Sequence, residues 1–145
     1  MKLKIASLIG LGMAILGLVY LLNENYIFSK NPIAIVIQIC AFALMIWARL
    51  TFGLRSFHAT ANTTRGGLVT KGPYRLLRHP IYAAIIYFVS ASLISFPFIQ
   101  TLGAIALIVI GLFIRIVLEE KSLLASYPEY VTYCKRAKRI IPFLF

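Results

Sequence analysis

Acidic residues are nearly missing from this chain. It has no aspartate and only four glutamates, Glu24, Glu119, Glu120 and Glu129, against fifteen lysines and arginines, for a formal net charge of +11. Charged residues of either sign make up 13% of 145 residues, where a soluble domain carries about 25%. Cysteine is equally sparse. Cys40 falls in an apolar run and Cys134 in a basic tail, so they sit at different depths. That separation argues against a disulfide, and two such cysteines make no metal site. Alternation of apolar and polar residues at period two is absent from the long apolar runs, which excludes membrane β-strands. There is no internal repeat and no low-complexity segment.

What is present is hydrophobic surface. Apolar residues make up 61% of the chain, with a mean hydropathy of +0.89. One small soluble core cannot hide so much, and the length suits one domain, so lipid is the expected solvent. Four apolar segments stand out, at about 5–22, 33–50, 81–96 and 98–118. Each is close to the ~17–25 residues of a spanning helix, the third being short. Helices are the solution that satisfies every backbone polar group within lipid. The reading is an all-α integral membrane protein of about four transmembrane helices, followed by an amphipathic C-terminal helix.

The bases lie between and after the apolar runs. This fits the positive-inside rule and anionic headgroups rather than nucleic acid, which needs a soluble basic face. The linker from about Thr51 to His79 carries Arg55, Arg65, Lys71, Arg75 and Arg78, and the tail carries Lys121, Lys135, Arg136, Lys138 and Arg139. Both, with the amino terminus, are expected on the cytoplasmic side of a multi-pass protein. The first run follows Lys2 and Lys4 as a signal peptide would, but lacks a small-residue cleavage site, so it reads as a retained anchor. Ala6, Gly10 and Ala14 in it offer a close-packing face. The linker "SFPFIQ" carries no charge and predicts a tight hairpin between the last two spans, packed antiparallel.

Two segments carry chemistry. In "GPYRLLRHPIY", residues 72–82, Pro80 suits the first turn of a helix and His79 sits near its cap. Free N–H groups at that helix start, with Arg75 and Arg78 upstream, would bind a carboxylate or phosphate. In "RIVLEEKSLL", residues 115–124, Glu119 and Glu120 fall at the carboxyl end of the fourth span, against the helix dipole, with Arg115 one turn before. Two-way topology brings both segments to the cytoplasmic face. An anion binder beside a cation binder suits a zwitterion, such as the amino-acid end of a cofactor. The tail "SYPEYVTYCKRAKRIIPFLF" adds Tyr130 and Tyr133 on one helical face, beginning near Pro128. It is expected to lie on anionic membrane lipid and to cover the site.

"GPYRLLRHPIY" followed by "EEKSLLASYPEYVTYCKRAKRIIP" resembles the isoprenylcysteine carboxyl methyltransferases and related phospholipid methyltransferases. The resemblance spans residues 72–142, with the first two spans similar only in character. It implies an integral membrane enzyme using S-adenosyl-L-methionine, with a two-helix anchor at about 1–52 and a cofactor-binding core at about 66–145. It places His79 and Tyr82 in the cofactor pocket, Glu119 and Glu120 at the same pocket, and Tyr130 and Tyr133 in its cover. Arg78, Arg115 and Arg139 become candidates for positioning a carboxylate or an acidic substrate group. The implied partner is a lipophilic small molecule or lipidated substrate, methylated on a carboxylate, amine or thiol. The oligomeric state stays open. A non-enzymatic membrane assembly or lipid-binding protein is the principal alternative, and a nicotinamide-dependent, sterol-reductase-like protein the other.

Overall fold

The computed structural model describes residues 2–53 and 67–142. Arg55 and Arg65, counted above with the basic linker, lie outside the described residues. Five helices are described: α1 (Lys2–Asn23), α2 (Pro32–Phe52), α3 (Pro80–Ala91), α4 (Ile99–Ser126) and α5 (Tyr130–Arg136). Three of them, α1, α2 and α4, are long and apolar enough to cross a membrane. α3 continues as a 3₁₀ turn to Ile94 and stays shorter, as the brief apolar run predicts.

Local chemistry explains the boundaries. Asn31 caps α2, its side-chain oxygen accepting from Ile33 N at 2.9 Å and Ala34 N at 3.4 Å, with Pro32 in the first turn. Pro80 opens α3 as expected, with His79 at the cap. α4 departs from expectation. Nothing between Lys121 and Ser126 breaks a helix, so it runs two turns past the apolar segment and stops just before Pro128. Glu119 and Glu120 are therefore interior helix residues, not terminal ones. α5 begins at Tyr130, two residues after Pro128.

α1 packs chiefly on α4, and α2 chiefly on α3, while α3 and α4 touch less extensively. The expected α3–α4 hairpin is present, but each helix has its main partner in the amino-terminal half. The α1–α4 seam is unusually close. A Cβ on Gly10 would lie 2.6 Å from Gly111 O, and one on Gly17 would lie 2.6 Å from Ala104 O. These pairs run in opposite order, so the two helices are antiparallel, and glycine is what lets their backbones meet. Ala14 belongs to this face, as expected; Gly17 extends it.

The core fills the half of the bundle away from the basic linker. Leu21, Ile27, Val89, Ile105 and Ile108 are buried together there. Outward, Leu16, Ile33, Leu50 and Ile99 are exposed. At most 44% of the most apolar stretch of any long helix is buried, so the remainder needs a lipid environment. The chain is an integral, multi-pass membrane protein.

Candidate active site

The start of α3 meets the interior of α4 in a compact ionic cluster. Glu120 is 6% exposed and sits at its centre. Its Oε1 is 3.1 Å from Arg78 Nη1 and 3.4 Å from His79 Nε2, and its Oε2 is 3.0 Å from Arg139 Nε. Glu119 lies one residue before it, sharing His79 but otherwise against different partners. Its Oε2 is 3.7 Å from His79 Nδ1, its Oε1 is 3.7 Å from Arg115 Nη2, and it accepts a hydrogen bond from Tyr82 Oη. His79 thus faces both carboxylates, and its ring stacks on Tyr82 with centroids 5.8 Å apart.

α1 and the tail complete the cluster. Arg115 Nε donates to Tyr82 Oη at 3.1 Å, and Arg115 Nη1 reaches Ser7 O and Ser7 Oγ, both at 3.4 Å. Arg78 Nη1 also donates to Cys134 Sγ at 2.8 Å. The tail is tied down along its length. Arg78 N donates to Lys138 O at 2.6 Å, His79 N to Arg139 O at 3.1 Å, and Lys138 N to Leu76 O at 3.0 Å. Tyr87 Oη donates to Ile140 O, and Tyr133 Oη to Tyr74 O at 2.5 Å. Burial raises the pKa of Tyr74, Tyr130 and Tyr133 above the usual phenol range.

The structure gathers Arg78, His79, Tyr82, Arg115, Glu119, Glu120 and Arg139 into one connected network. Tyr130 and Tyr133 pack beside it, with ring centroids 5.8 Å apart. One expectation needs correction. The N–H groups of Arg78 and His79 already serve tail carbonyls, because the chain after α5 pairs with residues 76–79. The open donor set expected at the α3 start is therefore partly filled by the protein itself. Arg75 is exposed, and its side chain has no place in the cluster described here.

Several contributors escaped the sequence reading. Ser7 carried a signal in its spacing, since Ser7, Gly10, Ala14, Gly17 and Leu21 alternate three and four residues apart along one face. Tyr74 and Cys134 lay inside the quoted motifs without a role. Gly72 was motif only; the structure supplies the reason. Its φ is +56°, and a Cβ there would lie 2.7 Å from Thr51 Oγ1 of α2.

The isoprenylcysteine carboxyl methyltransferase (ICMT) family model matches residues 33–125, well over half the chain. The chain belongs to this family. No curated protein and no solved structure matches it. The match to the ICMT family begins in α2 and includes the α3 start and both glutamates of α4. α1 and the tail lie beyond it, although both supply side chains to the cluster. Membership makes this a member of a membrane methyltransferase family.

Proposed function

We propose that this protein is an S-adenosyl-L-methionine-dependent methyltransferase acting on a lipophilic acceptor at the cytoplasmic membrane interface. The observation that carries this reading is the pairing of Glu119 and Glu120 with Arg78 and His79 at the α3 start, all within the family-matched stretch, and with Arg139 of the tail beyond it. The donor set fits a zwitterionic amino-acid group. Tyr130 Oη and Arg78 Nε are buried polar atoms with no hydrogen-bond partner among the described residues, so polar capacity remains beside the carboxylates.

The cofactor supplies an electrophilic methyl group on a sulfonium. This chain's residues bind and orient. Glu119 is the carboxylate better suited to the cofactor's ammonium group, its side chain being 24% exposed while that of Glu120 is 8% exposed. Arg78 and Arg139 are placed for a carboxylate, and His79 and Tyr82 line the space between. Tyr130 and Tyr133 exclude water from above. Alignment of the acceptor behind the methyl, in a dry and preorganised site, supplies much of the acceleration.

Charge balance bears on the acceptor. Arg78, Arg115 and Arg139 stand against Glu119 and Glu120, an excess of one positive charge before His79 is counted. A cofactor with a net positive charge adds to that excess, so an anionic acceptor complements the loaded site. A carboxylate is already ionised near pH 7 and needs no general base. α3 is read as a fourth span, with the site and both chain ends on the cytoplasmic side. Lys71, Arg75 and the tail bases support this orientation.

Calorimetry on the purified full chain in detergent tests the reading. The wild type is expected to bind S-adenosyl-L-methionine saturably, with Glu119→Gln and Glu120→Gln each weakening it by about tenfold or more, as for loss of a charged hydrogen-bond partner. Glu119→Gln is the more informative variant, because Glu120 anchors two arginines and its change also costs stability. No binding by a folded wild type, in detergent and again in lipid nanodiscs, sinks the methyltransferase reading.

A further inference from the structure

Arg115 is buried to 4% exposure, roughly 24 Å along α4 from Ile99 at about 1.5 Å per residue. That depth falls inside the ~30 Å of a bilayer's hydrocarbon core. A guanidinium so placed is costly unless its donors are met. Three helices meet them. α4 offers Glu119, though only at 3.7 Å, α3 offers the Tyr82 hydroxyl, and α1 offers the carbonyl and hydroxyl of Ser7. Ser7 is fully buried, and the Gly10–Gly111 contact one turn along fixes how near it stands to α4.

We propose that Ser7 is a positioning residue of the site, acting through Arg115 on Tyr82 and Glu119, a role that rests on the cofactor reading above. α1 is then a working part of the site although it lies outside the family match, and not merely an anchor. The physical step is a competition for donors. Arg115 Nη1 is held toward α1 by Ser7. Without the hydroxyl, only the Ser7 carbonyl at 3.4 Å still draws Nη1 toward α1, and the guanidinium turns toward the nearest anion, closing the 3.7 Å gap to Glu119. That carboxylate is then withdrawn from Tyr82 and His79, and from a ligand's ammonium group.

Two near-isosteric variants isolate the hydroxyl. Ser7→Thr keeps it, and Ser7→Val replaces it with a methyl group of the same shape. On the full chain in detergent, Ser7→Val is expected to weaken S-adenosyl-L-methionine binding roughly three- to tenfold, the range of one hydrogen bond, with Ser7→Thr near wild type at a matching thermal midpoint. Equal affinities for the two overturn the proposal. If the extra bulk unfolds both, Ser7→Ala against wild type makes the same comparison. A second readout needs no ligand. Ser7→Ala and Glu119→Gln should be non-additive in a thermal-unfolding double-mutant cycle, since both act on Arg115. Strict additivity overturns the proposal whatever binds. Non-additivity in a wild type that binds no S-adenosyl-L-methionine sinks the cofactor reading and leaves the Ser7–Arg115–Glu119 linkage standing.

Discussion

Gln38 is the residue on which the far end of the bundle closes. It is buried in α2, where its Oε1 accepts from Ser29 N at 3.1 Å and its Nε2 donates to Ile27 O at 2.7 Å. The same amide nitrogen lies 3.3 Å from Phe88 O, so one side chain ties the α1–α2 linker to α3. Ser92 Oγ donates to Ile27 O at 2.8 Å, and Ser29 Oγ and Ser95 Oγ bond each other beside it. Gln38→Leu is expected to cost about 1–3 kcal/mol, because it strands the buried Ser29 N–H while Ile27 O keeps its bond from Ser92 Oγ, read as a lowered thermal midpoint in detergent. Nothing in the sequence marks this role. The partners of Gln38 are backbone atoms and one serine hydroxyl, up to 54 residues away, and a lone amide in an apolar run has no visible complement. His79, Tyr82, Glu119 and Glu120 were legible because ionisable groups at the edge of apolar runs need partners, and only a few were on offer. Ser7, by contrast, looks like any small residue in a span.

At the scale of elements, the spans were readable from apolar run length, since lipid leaves the backbone little choice but helix. Their partnership was not. A short uncharged linker makes α3 and α4 neighbours, yet a close backbone approach joins α1 to α4, where Gly10, Gly17 and Gly111 stand. Only the two facing glycine patterns together predict that seam, and nothing in the sequence pairs one with the other. The end of α4 was misplaced because hydropathy marks where lipid stops and not where a helix does. The tail's path was half visible. Its tyrosines share a face as their spacing requires, but pairing of residues 138–139 with 76–79 is a long-range backbone match without a side-chain signature.

For the whole molecule, the two native cysteines report orientation. Cys40 is exposed near the middle of α2, facing lipid, and Cys134 is partly exposed on α5. A membrane-impermeant maleimide is expected to modify Cys134 in inside-out vesicles and not in right-side-out ones, with Cys40 unmodified in both. Labelling of Cys134 from the opposite side would reverse the proposed topology. The orientation under test is an expectation from the linker charges, which are a property of the entire chain and require no contact to be known.

The brevity of the third apolar helix has a mechanical side. Pro80–Ile94 rises roughly 22 Å at about 1.5 Å per residue, against ~30 Å of hydrocarbon in an average bilayer. Its neighbours are several residues longer, so the shortfall is local to the flank that carries His79. Where α3 spans the bilayer, as proposed, the lipids beside it must compress or tilt to meet it. Such a dimple would shorten the path of the proposed lipophilic acceptor from bilayer to site, and it would make the protein sensitive to membrane thickness. In vesicles of graded acyl length, the thermal midpoint should peak in the thinner bilayers; a peak at lengths matched to α1 and α4 would mean that α3 does not set the fit.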